Sequence, residues 1–182
     1  MKYLETPEQR WGNRDYPYHK TGEVEESEYL NRLNPVDCSY LTHLLRNLEL
    51  VARSMQTPLH ALGVGSSADL EWSEYRDIDL LICPEKPAVR EDFVIAAYKK
   101  IVLDPNFIVT QDSAKGSAPI LNAHDEPYAP LKLIAFPVGP VEMSKYFKQF
   151  DITFVGNDAG SFKDVLTFHR FNNLAFCELP LE

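Results

Sequence analysis

Apolar residues recur along the chain with two spacings, and the helical spacing marks the longer segments. Between residues 37 and 55, leucines and other apolar residues return every three or four positions, which predicts an amphipathic helix. The same spacing predicts a second helix over Arg90–Val102. A last helix is predicted over residues 161–175, because Ser161 is followed three residues later by Asp164, as at many helix starts.

Short apolar or alternating stretches between turn residues predict the strands of a sheet. They cover residues 59–64, 77–82, 107–110, 131–136 and 150–155. In order along the chain, the predicted elements run helix, strand, turn, strand, helix, and then further strands before a final helix. That order predicts an α/β (α+β) fold, a mixed β-sheet of about five strands with flanking helices.

The polar, turn-rich N-terminal segment differs from the rest of the chain. Residues 1–34 carry Pro and Gly at short intervals together with an acidic run, which predicts an irregular arm with a short helix near residues 25–32. Residues 35–182 are enough for one domain with its own core. Within that domain, residues 111–130 are polar and contain several prolines, which predicts a long loop over a site.

Composition narrows the classes of partner. The net charge of −9 opposes sequence-independent binding to nucleic acid, because such binding needs Lys and Arg to neutralise phosphates. No apolar run approaches the length that spans a bilayer, and the charged N-terminus lacks the apolar core of a signal peptide. The three widely spaced cysteines indicate neither a disulfide framework nor a zinc site. We therefore expect a cytoplasmic protein without a membrane partner.

The candidate chemistry begins where the first predicted strand ends, at Gly65, Ser66 and Ser67. Glycine lets the backbone turn sharply there, so that amide groups and serine hydroxyls can approach a phosphate. Asp77 and Asp79 follow after a polar spacer and alternate along a predicted strand. Alternate side chains leave a strand on the same face, so the two carboxylates are placed to hold Mg²⁺ together.

A pair of divalent cations that acts on a phosphoryl group usually needs a third carboxylate. Asp151 is the first candidate, because it is a lone acid in an alternating, strand-like stretch. Beside the strand of Asp79 it would face the same ions, and it could take a proton from an attacking hydroxyl. Asp125, in the predicted loop, is the alternative third ligand.

The order Gly65-Ser66, ten spacer residues and then Asp77-Ile78-Asp79 resembles a known signature. It is similar to the Gly-Ser to Asp-x-Asp pattern of the DNA polymerase beta superfamily, in particular its small, minimal members. The resemblance implies a nucleotidyltransferase-like fold that uses Mg²⁺ or Mn²⁺ to transfer a nucleoside monophosphate from an NTP, with release of pyrophosphate. ATP, CTP, GTP and UTP remain open as donors, and a small molecule, a protein side chain or an RNA end as the acceptor.

Two basic residues extend the candidate nucleotide site. Arg76 directly precedes the paired acids, and Lys132 lies on a strand predicted to neighbour theirs, so both can meet phosphate oxygens. Few residues follow Asp151, so the helical domain that grips the base in larger members is not expected here. A protein partner or a second copy would then complete the pocket. The alternatives are a catalytically inactive binding or scaffold module of this fold, and a component of a toxin-antitoxin pair.

Overall fold

The computed structural model describes residues 19–110, 131–139, 148–156 and 160–181. The predicted loop over residues 111–130, which contains Asp125, lies outside the described residues, as do residues 1–18 of the predicted arm. The helices of the described part are α1 (Glu26–Arg32), α2 (Pro35–Ser54), α3 (Arg90–Val102) and α4 (Phe162–Phe171), and its strands are β1 (Leu59–Val64), β2 (Ile78–Pro84), β3 (Phe107–Thr110), β4 (Leu131–Pro137), β5 (Phe150–Phe154) and β6 (Phe176–Leu179).

The strands form one mixed sheet in the order β3-β4-β5-β2-β1-β6. The central strands β2 and β5 run parallel, whereas the other neighbouring pairs are antiparallel. The predicted mixed sheet with flanking helices is confirmed. The described residues form six strands rather than about five.

The sheet separates two apolar clusters, and the alternation along β2 shows which face each residue takes. Ile78 and Leu80 are almost fully buried in the larger cluster, which also holds apolar side chains of α1, α2 and α3. Leu81 belongs to the smaller cluster, together with Val165 and Phe168 of α4. Three helices therefore cover one face of the sheet, and α4 covers part of the other.

The short helix α1, predicted within the N-terminal arm, packs closely on β1. Tyr29 of α1 is fully buried, and a Cβ at Gly63 would lie 2.5 Å from its ring. Only glycine leaves room for that contact. Val24 and Leu33 join Tyr29 in the larger cluster, and the Val24 N–H donates to the Phe176 carbonyl at 2.8 Å. The described residues that precede α2 thus share the core of the sheet.

The last predicted helix ends earlier than expected, and the chain then forms a sixth strand. As the sequence indicates, α4 begins after Ser161, whose hydroxyl accepts from the Asp164 N–H. The prediction that it reaches residue 175 was wrong, because it ends at Phe171. Asn173 follows with φ of +51°, a left-handed conformation that cannot continue an α-helix. The chain reverses there, and β6 pairs with β1.

The three cysteines are free in the structure. Burial raises the pKa of the Cys83 thiol to about 11 and that of Cys177 to about 12. Both thiols therefore stay protonated, and poorly nucleophilic, at neutral pH. Within the ranges that the structure covers, no helix combines the length and the apolar character needed to cross a bilayer.

Replacement of Ile152 by alanine tests the packing at the centre of the sheet. Ile152 is fully buried on β5, between β4 and β2. Because truncation leaves a cavity, we expect Ile152→Ala to lower the free energy of unfolding by about 2–5 kcal/mol. Leu103→Ala is the control, since Leu103 is 82% exposed and its truncation should cost less than about 0.5 kcal/mol. Urea denaturation measures both, and equal losses would contradict this packing.

Candidate metal centre

Three carboxylates converge at one end of the central strand pair. Asp77, Asp79 and Asp151 each place one carboxylate oxygen within 4.8 Å of the others, and all three residues are half-buried. Among the described residues, no other group of three potential metal ligands lies this close together. The structure thus brings together the three acids that the sequence singles out.

The pairing of β2 with β5 produces most of this convergence. In their parallel register Asp79 lies opposite Asp151, while the neighbours Ile78 and Ile152 are fully buried in the larger cluster. Because successive side chains point to opposite faces of a strand, the two acids leave the sheet on its other face. Asp77 lies one residue before β2, not within the strand as predicted, and reaches the same place from outside the ladder.

Gly65 brings the turn after β1 against the acidic cluster. Val64, the last residue of β1, is in register with Asp79. Gly65 then turns with φ of +67°, a conformation that L-residues other than glycine rarely adopt. A Cβ at this position would lie 2.5 Å from Asp79 Oδ2. The glycine is therefore required both by the backbone conformation and by the close approach of the carboxylate.

The two serines of the turn have different environments. Ser66 is half-buried, and its carbonyl oxygen accepts a hydrogen bond from Arg32 Nη2 at 3.1 Å. Ser67 is fully buried, and its hydroxyl donates to the Val64 carbonyl at 3.0 Å and lies 3.4 Å from the Tyr29 hydroxyl. Ser67 thus fixes the turn against β1 and α1, whereas Ser66 is partly exposed to solvent.

The donor set suits a hard divalent cation. Three carboxylates at this spacing repel one another, and a cation between them would offset that repulsion. Carboxylate oxygens are the side-chain ligands that Mg²⁺ and Mn²⁺ prefer. Gln149 Nε2 donates to Asp151 Oδ1 at 2.7 Å, and such a partner fixes the orientation of a ligand. The chemistry of these residues therefore fits the cation that the sequence predicts.

The two basic residues predicted to meet phosphates lie at different borders of the site. Arg76 is exposed on the spacer, directly before Asp77. Lys132 lies on β4 in register with Thr153 of β5. Two residues further along, β4 is in register with Asp151. Arg76 is thus a neighbour of the acids in sequence, and Lys132 is a neighbour in the sheet.

Two further basic residues lie beside the spacer and are not marked by any local sequence pattern. The Arg32 guanidinium donates to the Trp72 carbonyl at 2.6 Å and lies 5.9 Å from the centre of the Tyr75 ring. The Lys148 ammonium also lies 5.9 Å from that centre. Arg32 ends α1 and Lys148 precedes β5, so only the fold brings them together.

Comparison with known proteins gives a distant structural likeness. No family model matches the sequence, and no curated protein matches it. The chain is similar, at 14% identity and a TM-score of 0.39, to a crystal structure of the Cid1 poly(U) polymerase with MgGTP bound. That structure was used to study the mechanism of UTP selectivity. The overlap covers 70% of this chain and 36% of the polymerase chain, so this chain spans well under half of that protein's length.

Gly65→Ala tests the contact between the turn and Asp79. The added Cβ would collide with Asp79 Oδ2, and the left-handed backbone would add about 1–2 kcal/mol of strain. We expect the variant to lose stability and to bind Mn²⁺ about tenfold more weakly, because the displaced carboxylate no longer faces its partners. Thermal unfolding and titration with Mn²⁺ measure the two effects.

Gly22→Ala is the matched control for this variant. Gly22 also has a positive φ, +79°, and its added Cβ would lie 2.9 Å from Asn173 Oδ1, beside β6, with no atom of the acidic cluster within 4 Å. It should lose stability in the same way while keeping the Mn²⁺ affinity of the wild type. A Gly65→Ala protein that binds Mn²⁺ as tightly as Gly22→Ala would refute the role assigned to Gly65.

Proposed function

We propose that the chain is a metal-dependent nucleotidyltransferase of the polymerase beta type. It transfers a nucleoside monophosphate from an NTP to an acceptor and releases pyrophosphate. The observation that carries the proposal is the convergence of Asp77, Asp79 and Asp151 within 4.8 Å, directly against the glycine turn. A triphosphate binds together with Mg²⁺. A cluster of carboxylates beside a glycine turn therefore suits it, since the carboxylates bind the ion and the turn has no side chain in the way of the phosphates.

The three acids have two roles in this proposal, metal binding and proton transfer. Asp77, Asp79 and Asp151 would hold Mg²⁺ or Mn²⁺, which when bound stabilises the charge on the attacking and leaving oxygens. The acceptor hydroxyl attacks the α-phosphorus and gives its proton to Asp151, while the bond from that phosphorus to the bridging oxygen breaks and pyrophosphate leaves. Asp151 is the preferred base, because Gln149 holds its carboxylate in one orientation.

The remaining residues bind the phosphates. The backbone of Gly65 and the hydroxyl of Ser66 contact the triphosphate, and Ser67 supports the turn from its buried position. Arg76 and Lys132 neutralise the charge of the departing pyrophosphate. With these roles, the triphosphate would lie against the glycine turn, beside the acids.

The choice of acceptor is based on the net charge of the chain. The net charge of −9 repels a long polyanion, so we favour a small molecule or a protein side chain over RNA. Incubation with each α-labelled NTP and Mn²⁺, in the absence and presence of candidate acceptors, identifies both the donor and the acceptor. Label on the protein itself would indicate a protein side chain as the acceptor.

The double variant Asp77→Asn with Asp79→Asn tests the proposal. Loss of two carboxylate ligands should lower Mn²⁺ affinity by more than about 100-fold, beyond the loss caused by removing a ligand's partner. Pyrophosphate release should fall with it, while thermal unfolding shows that the fold remains. The readouts are Mn²⁺ titration, release of labelled pyrophosphate and the melting temperature.

The control double variant is Glu71→Gln with Glu74→Gln. This variant changes the net charge by the same amount as the Asp77 and Asp79 double variant. Both glutamates are exposed on the same spacer and are not members of the acidic cluster. This variant should keep the Mn²⁺ affinity and the activity of the wild type. A wild-type protein that binds Mn²⁺ and NTP without releasing pyrophosphate, with any acceptor offered, would instead indicate an inactive binding module.

A further inference from the structure

The junction between α1 and α2 contacts two of the chain segments that build the acidic site. Arg32, the last residue of α1, donates to the carbonyl of Ser66 in the turn and to that of Trp72 in the spacer, at 3.1 and 2.6 Å. Asn34, the N-cap of α2, donates its backbone N–H to the Tyr75 hydroxyl at 3.1 Å. The turn and the spacer are thus anchored on the same junction.

Asp37, in the first turn of α2, extends this junction to a third segment and is fully buried. Its Oδ2 accepts hydrogen bonds from the Tyr75 hydroxyl at 2.6 Å and from Asn34 Nδ2 at 2.7 Å. Its Oδ1 accepts from the backbone N–H of Lys148 at 3.4 Å. A single side chain therefore joins the two segments that lead into the parallel strands β2 and β5.

The sheet alone does not fix the whole acidic cluster. The β2–β5 ladder holds Asp79 opposite Asp151, and the Ile78 N–H donates to the Gln149 carbonyl at 2.9 Å where the ladder begins. Asp77 precedes that point. Its position therefore depends on how the spacer enters the strand, and the hydroxyl of Tyr75, two residues earlier, is bonded to Asp37.

We propose that Asp37 is a positioning residue for the acidic site, which it serves by fixing the spacing between Asp77 and Asp151 through Tyr75 and the backbone of Lys148. The inference rests on the proposed function, in which these acids hold a divalent cation. Asp37 is buried on α2 and acts only through its hydrogen-bond partners. If Asp37 can no longer accept these hydrogen bonds, the Tyr75 hydroxyl and the Lys148 N–H lose their partner. The segments that precede β2 and β5 can then shift relative to each other.

Mn²⁺ affinity of the full chain, measured by electron paramagnetic resonance of the free ion, tests this proposal. Asp37→Asn keeps the shape of the side chain but replaces one acceptor oxygen by a donor, and Tyr75→Phe removes only a hydroxyl. Each should weaken Mn²⁺ binding by about tenfold, as the loss of a ligand's supporting partner does. The double variant should bind Mn²⁺ no more weakly than the more affected single variant. Both changes break the same contact, the hydrogen bond between Asp37 and Tyr75, so their effects should not add.

Asp104→Asn is the matched control. The Asp104 side chain is only 8% exposed, and its Oδ2 lies 2.6 Å from His43 Nε2 and accepts from Asn47 Nδ2, near β3 at the sheet edge. The variant removes the charge of another networked carboxylate, so it should lower the melting temperature as Asp37→Asn does. A purely structural role for Asp37 would make the two variants alike in Mn²⁺ affinity as well.

The outcomes separate this proposal from the one it rests on. If the wild type binds Mn²⁺ and the Asp37 and Tyr75 variants bind it no more weakly than Asp104→Asn, the positioning role is overturned and the proposed function stands. A wild type that binds no Mn²⁺ overturns both. Should Asp37→Asn fail to fold, Tyr75→Phe decides the question alone.

Discussion

The parallel register between β2 and β5 is the constraint on which the site depends. It sets Asp79 beside Asp151, and two carboxylates about 4 Å apart near a protein surface repel by about 1–4 kcal/mol. Ile78, Leu80 and Ile152 alternate with these acids and are buried on the other face. Each contributes about 1.5–3 kcal/mol, so burial outweighs the repulsion. A slip of one residue would bury the acids and expose the apolar side chains.

Much of this arrangement follows from local pattern. β1, α3 and β3 begin and end at the residues that apolar periodicity predicts. The two-residue spacing of Asp77 and Asp79 indicates a shared face, and their carboxylates do converge. Such features depend on short-range geometry, namely the period of a strand and the turn that a glycine permits. They can therefore be recognised without knowledge of the rest of the fold.

Long-range pairing cannot be recognised in that way. Residues 174–177 form a short apolar run, which fits the end of a helix as well as a strand, and only pairing with β1 makes it part of β6. Asp37 was missed for a related reason. An acid in the first turn of a helix is common because it interacts favourably with the helix dipole, so nothing in the sequence marks Asp37 as the partner of Tyr75.

The placement of α4 leaves the acidic cluster at the border of the part of the sheet that the helix covers. Along β2 the face that carries Asp79 continues with Leu81, which α4 covers through Val165 and Phe168. The acids lie just beyond this cover and are half-buried. Full exposure would let water and salt screen their attraction for a cation, and full burial would make their charges too costly. The border of the α4 contact therefore gives the three carboxylates an intermediate environment, which suits a candidate metal centre.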